Sequence, residues 1–187
     1  MLILIADDES IIRMGLKSML EGLGHRVIAA TNGREAIRMA EQQRPDLAIL
    51  DIQMPYTDGL QAARTMIAAR PLPILILTAF SQQDLIDRAT DLPIQGYLIK
   101  PVQPEELSAA VSVAVKRFAD SRAQAKRTAQ LEANLAARKL IDRAKGKLMQ
   151  EGLSEDDAYR VIRERARRER QTIAAAAAAM LTDGPDA

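Results

Sequence analysis

Residues that could bind a metal ion and a phosphate group stand at the ends of four short apolar segments. Asp7 and Asp8 follow residues 2–6, Asp51 follows residues 47–50, Thr78 follows residues 74–77, and Lys100 follows residues 97–99. A hydrophobic core does not require a polar residue at the end of each buried segment, whereas a site built at the ends of strands does. Three carboxylates, one hydroxyl and one amine together indicate metal-assisted phosphate chemistry.

Each of these side chains has a chemical role that it could fill. The carboxylates are hard oxygen ligands of the kind that Mg²⁺ prefers. The Lys100 ammonium could neutralise one phosphoryl oxygen, and the Thr78 hydroxyl could donate a hydrogen bond to another. The Asp51 carboxylate could attack phosphorus and form an acyl phosphate. Taken singly, the residues also have structural interpretations: Asp7 and Asp8 as helix caps, Asp51 as a turn residue and Lys100 as an ion-pair partner.

Apolar patterning predicts the elements that would position these residues. Strand-like segments fall near residues 2–6, 26–30, 46–50, 73–78 and 96–99. The segments between them have helical spacing, carried by Ile12, Leu16, Leu20 and Leu23, by Ala36, Ile37 and Ala40, by Leu60, Ala63 and Ile67, and by Leu85, Ile86 and Ala89. Five strands that alternate with helices predict an α/β fold, in which a parallel sheet is covered on both faces. Ligands bind such sheets at the carboxyl ends of the strands, where the polar residues lie.

Composition excludes several classes of protein. The 187 residues contain no cysteine, which rules out disulfides, thiolate catalysis and Cys-ligated zinc. The start, MLILIADDE, lacks a basic n-region and predicts a strand rather than a signal peptide. No apolar run approaches the ~18 residues of a membrane span. We therefore expect a cytoplasmic protein with no membrane partner.

Charge divides the chain into two modules. The net charge is −4 over residues 1–115 and +7 over residues 116–170. Residues 105–145 contain neither glycine nor proline and predict one long helix, whose residues Leu107, Val111, Ala114 and Phe118 should pack on the sheet. Gly152 ends it, Ser154 to Asp157 begins a second helix by a capping box, and a third spans roughly residues 172–181. The prediction is an all-α three-helix C-terminal domain.

Residues 1–119 resemble the receiver domain of two-component response regulators. The resemblance is carried by Asp7-Asp8-Glu9, by Asp51 with Met54-Pro55 and Asp58-Gly59, by Thr78-Ala79, and by Tyr97 with Lys100-Pro101. It implies a flavodoxin-like, doubly wound, five-stranded parallel sheet. It also implies roles for the residues: Asp51 as phosphoacceptor, Asp7, Asp8 and Asp51 with the Gln53 carbonyl as Mg²⁺ ligands, Thr78 and Lys100 as phosphoryl contacts, Thr78 and Tyr97 as switch residues, and a cis Lys100–Pro101 bond. The phosphoryl donor would be a sensor histidine kinase.

Basic stripes mark the C-terminal module. Arg160, Arg163, Arg167 and Arg170 share one helix face, and Lys139, Arg143 and Lys147 form a second stripe. Composition alone favours a solvated face with ion pairs over a nucleic-acid surface. Residues 125–183, however, resemble the ANTAR domain of transcription antitermination regulators, on the strength of Ala144 to Met149, Ser154-Glu155, Ala158-Tyr159 and Ile162-Arg163. The resemblance implies binding to RNA hairpin loops, with candidate contacts at Lys145, Gly146, Tyr159 and Arg163, and, from charge and helix face, at Arg138, Lys147 and Arg167.

The sequence thus predicts a phosphorylation-controlled, RNA-binding regulator rather than an enzyme. Residues 120–135 would form a linker helix with a weak coiled coil. Phosphorylation would cause either homodimerisation or release of the RNA-binding face. Two alternatives stay open: a DNA-binding transcription regulator, and a phosphate sink or protein-interaction adaptor that binds no nucleic acid. The alanine run at residues 174–179 offers no base-reading side chains, which argues against the first.

Overall fold

A computed structural model describes residues 1–79 and 92–182. The chain divides into two compact units, Met1–Arg122 and Ala123–Ala187. The strands are β1 (Leu2–Ala6), β2 (Arg26–Ala30), β3 (Leu47–Asp51), β4 (Ile74–Thr78) and β5 (Gly96–Ile99). The helices are α1 (Ser10–Gly22), α2 (Gly33–Gln43), α3 (Gly59–Ala69), α4 (Pro104–Gln150), α5 (Glu155–Arg168) and α6 (Ile173–Thr182). The predicted helix at Leu85, Ile86 and Ala89 lies outside the described residues.

The first unit contains one parallel sheet with the strand order β2-β1-β3-β4-β5, which confirms the predicted fold class. Ala6 of β1 pairs with Leu50 of β3, and Thr78 of β4 pairs with Ile99 of β5. This register brings the carboxyl ends of β1, β3, β4 and β5 to one edge of the sheet. The residues that follow each strand are therefore neighbours in space.

Two apolar clusters cover the faces of the sheet, because successive side chains of a strand point to opposite sides. Leu4 and Ala6 pack in one cluster with the buried side chains of α3, and Ile3 and Ile5 pack in the other with those of α1 and the start of α4. The predicted packing of α4 on the sheet is confirmed for Leu107, Val111 and Ala114, which are buried. Phe118 is only partly buried and has the Arg122 guanidinium 5.8 Å from the centre of its ring, so its packing on the sheet stays a prediction.

The second unit is helical and has a small core of its own. Buried Ala144, Ile162 and Ala166 pack with Ala176 and Ala177 from the alanine run of α6. Small side chains allow close helix packing here. The predicted cap of α5 is present, since the Ser154 hydroxyl accepts a hydrogen bond from the Asp157 backbone N–H at 3.2 Å. None of the described helices is long and apolar enough to cross a membrane.

Candidate functional site

Lys100 lies between the two buried carboxylates at the edge of the sheet. Its Nζ is 2.7 Å from Asp7 Oδ2 and 3.2 Å from Asp51 Oδ2. Glu9, at the mouth of the cleft, places Oε1 at 3.5 Å from the same nitrogen. The Lys100 side chain is only 15% exposed. The ends of β1, β3 and β5 therefore bring their charged side chains into one small volume.

The three aspartates could hold a metal ion. One carboxylate oxygen from each of Asp7, Asp8 and Asp51 lies within 4.8 Å of the others. Asp7 and Asp51 are buried, whereas Asp8 is exposed and faces solvent. Asp7 Oδ2 is buried and has no hydrogen-bond partner among the described residues. Its contact is the ion pair with Lys100. Hard oxygen donors with spare lone pairs fit Mg²⁺, which binds few carboxylates and keeps several waters.

A cavity of about 260 Å³ opens onto Asp8 and Asp51. Its lining consists of Asp8, Glu9, Asp51, Gln53, Ala79 and Lys100. Four of the predicted site residues, Asp8, Asp51, Gln53 and Lys100, thus line one space that is open to solvent. Gln53 belongs to this lining, as expected for a residue two positions after Asp51.

Burial and neighbouring charges shift the titration of the site. Burial raises the pKa of the Asp51 carboxyl from 3.8 to about 6; Lys100 opposes the rise, and the negative charges of Asp7 and Asp8 add to it. Burial alone would lower the pKa of Lys100, but its contacts with Asp7 and Asp51 outweigh burial and raise it. Near pH 7 the site therefore holds an ionised Asp51 carboxylate beside the protonated Lys100 amine.

Backbone contacts hold the two metal-site acids in place. The Arg13 guanidinium of α1 donates from Nη1 to the carbonyl oxygens of Asp7 at 2.7 Å and Asp8 at 3.0 Å. Asp7 Oδ1 accepts from the Glu9 N–H at 2.8 Å. Helix capping does not explain this pair, because the N-cap of α1 is Glu9, which makes no side-chain cap bond.

The end of β3, which carries Asp51, is held by a close contact with α3. A Cβ at Gly59 would lie 2.0 Å from the Asp51 carbonyl oxygen, so only glycine allows the helix to begin here. Asp58 caps the same helix by accepting from the Gln61 N–H at 2.7 Å. The Asp58-Gly59 pair therefore fixes the backbone that carries Asp51.

The remaining predicted residues of this unit lie nearby. Thr78 is buried at the end of β4, and its hydroxyl donates to the Ala79 carbonyl at 3.0 Å. Tyr97 is 38% exposed on β5, the edge strand of the sheet. The Lys100–Pro101 bond is cis, as expected.

In the second unit the structure divides the basic residues into paired and unpaired side chains. The paired ones are Arg138 with Asp142, Lys145 with Glu155 and Asp142, Arg160 with Asp157, and Arg165 and Arg168 with Glu169. Lys147 donates to the Met180 carbonyl at 2.9 Å. Within the described residues, the exposed Lys139, Arg143, Arg163, Arg167 and Arg170 make no ion pair. Tyr159, 40% exposed, precedes Arg163 by one helical turn.

Comparison with known proteins agrees with this two-part architecture. Residues 3–112 match the model of the response regulator receiver domain, and residues 129–181 match that of the ANTAR domain. The fold and the acidic cleft define a signalling receiver joined to a helical module, a regulator rather than a catalytic enzyme. The chain belongs to the response regulators that carry a C-terminal ANTAR domain.

Individual relatives agree with that assignment. The chain is 43% identical over 172 residues to the transcriptional regulatory protein PdtaR of Mycobacterium tuberculosis, covering 91% of this chain and 83% of that protein. Among solved structures, it resembles the receiver domain of a modulated diguanylate cyclase from Desulfovibrio desulfuricans, with 32% identity and a TM-score of 0.60 over 64% of this chain and 97% of that one. A receiver domain from Clostridium thermocellum gives 32% identity and a TM-score of 0.59 over 62% and 94%.

Three residues of the cleft were not among the predicted site residues. Glu9 contacts Lys100, Arg13 binds the backbone of the acid pair, and Ala79 lines the cavity. Glu9 and Ala79 adjoin predicted residues, so proximity in sequence was a usable signal. Arg13 gave none, since its role depends on how α1 turns back over the end of β1.

Proposed function

We propose that the chain is a phosphorylation-dependent response regulator that binds RNA hairpin loops and controls transcription antitermination. One observation carries the proposal: a single chain joins a cleft in which Lys100 holds Asp7 and Asp51 to an ANTAR unit whose exposed Arg163 and Arg167 make no ion pair with the described residues. A sensor histidine kinase is the proposed donor. The proposed domains are residues 1–119 for the receiver, 120–135 for a linker helix with a weak coiled coil, and 125–183 for the RNA-binding domain.

The cleft supports phosphoryl transfer to Asp51. An Asp51 oxygen attacks phosphorus, the bond from phosphorus to the donor imidazole nitrogen breaks, and the imidazole leaves with its electron pair. Lys100, 3.2 Å from Asp51 Oδ2, compensates the charge of the phosphoryl group, and Thr78 donates a hydrogen bond to it. Asp7, Asp8, Asp51 and the Gln53 carbonyl would hold Mg²⁺, which reduces the repulsion between the anionic reactants when it is bound.

Phosphorylation would shift the receiver between two conformations. Thr78 and Tyr97 are the proposed switch residues, because one is next to the cleft and the other lies on the edge strand. Helix α4 begins in the receiver and ends in the ANTAR unit, so it is the proposed route between them. Homodimerisation and release of the RNA-binding face are both outcomes that such a shift could produce.

The α5 face supports RNA binding through Tyr159, Arg163 and Arg167. An unstacked base of an RNA loop can stack on the Tyr159 ring, and the two exposed guanidinium groups can pair with phosphates. Lys145, Gly146, Arg138 and Lys147 are further candidates from the sequence, although three of the four have partners within the protein. The face is therefore the strongest part of the proposed interface.

Binding measurements on the full chain test the proposal. The probes are a pool of labelled RNA hairpins with one stem and randomised loops, and a duplex DNA, each measured across a salt series with and without beryllofluoride and Mg²⁺. We expect hairpin binding that beryllofluoride strengthens and salt weakens, with a slope of about −0.7 per phosphate contacted. The same measurement on Arg163→Ala/Arg167→Ala should give a shallower slope.

Asp51→Asn is the matched control for the switch, since it keeps the size of the side chain. It should lose labelling by acetyl phosphate and the response to beryllofluoride while keeping basal RNA binding. Tighter binding to duplex DNA, or no binding to either nucleic acid with beryllofluoride present, would contradict the antitermination role. Labelling of Asp51→Asn would remove Asp51 as the acceptor.

A further inference from the structure

The outward side of α4 presents two exposed cations and a glycine in one row. Lys139, Arg143 and Gly146 are spaced i, i+4 and i+7, so they share a helix face, named here the α4 ridge. The core of the unit receives a different face of the same helix, which carries Leu140, Ala144 and Leu148. The α4 ridge is therefore a surface that the three-helix core does not use.

Gly146 has no explanation in packing. A glycine inside a helix lowers stability relative to alanine. A Cβ built at Gly146 has no heavy atom within 4 Å among its described neighbours, and the residue has no positive φ. Glycine is also chosen where another backbone must approach a helix closely. Gly146 therefore leaves a face of the helix on which the backbone of a partner could approach closely.

The two cations beside Gly146 are available to such a partner. Lys139 and Arg143 are exposed and, within the described part of the chain, neither makes an ion pair. Lys145, next to the glycine in sequence, is different. Its Nζ lies 2.6 Å from Glu155 Oε1 and 3.7 Å from Asp142 Oδ1, and its side chain is only 20% exposed. Glu155 is the first residue of α5, so this contact joins two helices.

We propose that the α4 ridge receives the sugar-phosphate backbone of the bound RNA. Lys139 and Arg143 pair with phosphates, Gly146 leaves room for the backbone to approach, and Lys145 is a positioning residue that holds α5 against α4. The assignment rests on the proposed RNA binding. It adds Lys139 and Arg143 to the candidate RNA contacts. It gives Lys145 a positioning role instead of a direct contact with RNA.

The first test uses Gly146→Ala in the full chain, with Gly15→Ala as control. Gly15 lies inside α1, and a Cβ there also meets no heavy atom within 4 Å. Both changes should raise the apparent Tm, by about 4 °C for a small domain. Only Gly146→Ala should weaken binding to the hairpin pool, by about tenfold, since the methyl group blocks the approach. Equal RNA affinity in the two variants would overturn the ridge as a contact surface.

The second test compares Lys139→Ala/Arg143→Ala with Lys17→Ala/Arg38→Ala, which removes the same charge from the receiver. The ridge variant should flatten the salt slope by about 1.4, corresponding to two phosphate contacts, and the control should leave it unchanged. Equal slopes would overturn the proposal. If the wild-type chain binds no hairpin at all, the proposed function fails instead, so the two failures are distinguishable.

Glu155→Gln decides the role of Lys145, with Asp156→Asn as control for the lost negative charge. A positioning role predicts that Glu155→Gln and Lys145→Ala weaken binding to a similar degree, that the double variant is no weaker than either, and that the salt slope is unchanged. A direct contact between Lys145 and RNA predicts the opposite effect on affinity. Glu155→Gln would then free the Lys145 ammonium and strengthen RNA binding, and Lys145→Ala would flatten the salt slope. The second pattern would overturn the positioning role.

Discussion

Asp51 combines a reactive position with an unfavourable environment. Its carboxylate is buried beside Asp7, and Lys100, in contact with both, offsets the repulsion between them. Such a site stores free energy in the unphosphorylated protein, because the folded state must ionise a group that burial disfavours. The Asp51 carboxylate is ionised at pH 7, but its pKa of about 6 is close to that pH. A receiver with such a group can respond to a new ligand with a change in conformation.

Stability should therefore depend on pH through Asp51. With the pKa raised from 3.8 to about 6, the folded state binds more protons than the unfolded state between about pH 4 and 6. The contribution of Asp51 to stability falls as pH rises through that window, by about 3 kcal/mol in total. In EDTA, Asp51→Asn should match the wild type near pH 4 and be more stable by about that amount at pH 7.

Denaturant titrations at several pH values would measure this difference. Asp120→Asn, which changes an exposed carboxylate on α4, is the control and should give no such trend. A stability difference between Asp51→Asn and wild type that stays constant from pH 4 to pH 7 would show that Asp51 is not the buried titrating group.

At the scale of elements, glycines decide how closely helices approach the strands that carry the site. Gly59 begins α3 against the Asp51 carbonyl, and Gly33 begins α2 against the Thr57 carbonyl, where a Cβ would lie 2.3 Å from the oxygen. The two helix starts are thus locked to the segment that follows Asp51. Gly146, with open space around it, belongs to a different category.

Gly59→Ala should consequently disturb Asp51, the proposed phosphoacceptor. The added methyl group must displace α3 or the end of β3, at a cost of about 1–3 kcal/mol for overpacking. We expect lower stability in urea and slower labelling by acetyl phosphate, since the backbone of Asp51 moves. Gly15→Ala, in open space, should instead stabilise the protein by about 1 kcal/mol and leave labelling unchanged. Normal labelling of Gly59→Ala would show that the contact does not position Asp51.

At the scale of the whole molecule, the two units share one helix. Helix α4 runs from Pro104 to Gln150, and the boundary between the units falls within it, at Arg122 and Ala123. The receiver part of α4 contributes Leu107 and Val111 to the core, and the ANTAR part contributes Ala144. A change in the receiver that moved this helix would therefore act on both cores.

Ala123→Pro should uncouple the two units. Proline inside a helix removes a hydrogen bond and costs about 3 kcal/mol, which locally breaks α4 without touching either core. Labelling of Asp51 and basal RNA binding should persist, while stimulation of RNA binding by beryllofluoride should be lost. Ala123→Gln keeps the helix and serves as control. Full stimulation in the proline variant would exclude α4 as the route of communication.

Much of the receiver could be predicted from local patterns. Short apolar segments predicted the five strands to within a residue or two, because strands buried on both faces are continuously apolar. The residues at the ends of those segments predicted the site, namely the three aspartates together with Thr78 and Lys100. Parallel strands finish at one edge of the sheet, so these residues become neighbours. The Ser154 cap and the three C-terminal helices followed from equally local signals.

The sequence by itself determined which residues could take part in phosphate and RNA chemistry, because residue types and strand and helix periods are local properties. Only the tertiary structure decided which charges pair. It placed Lys100 between Asp7 and Asp51, set Arg13 on the backbone of the acid pair, and joined Lys145 to Glu155, while Arg163 makes no ion pair with any residue that the structure describes. Ion pairing and desolvation depend on distances between residues far apart in the chain, and those distances exist only after folding.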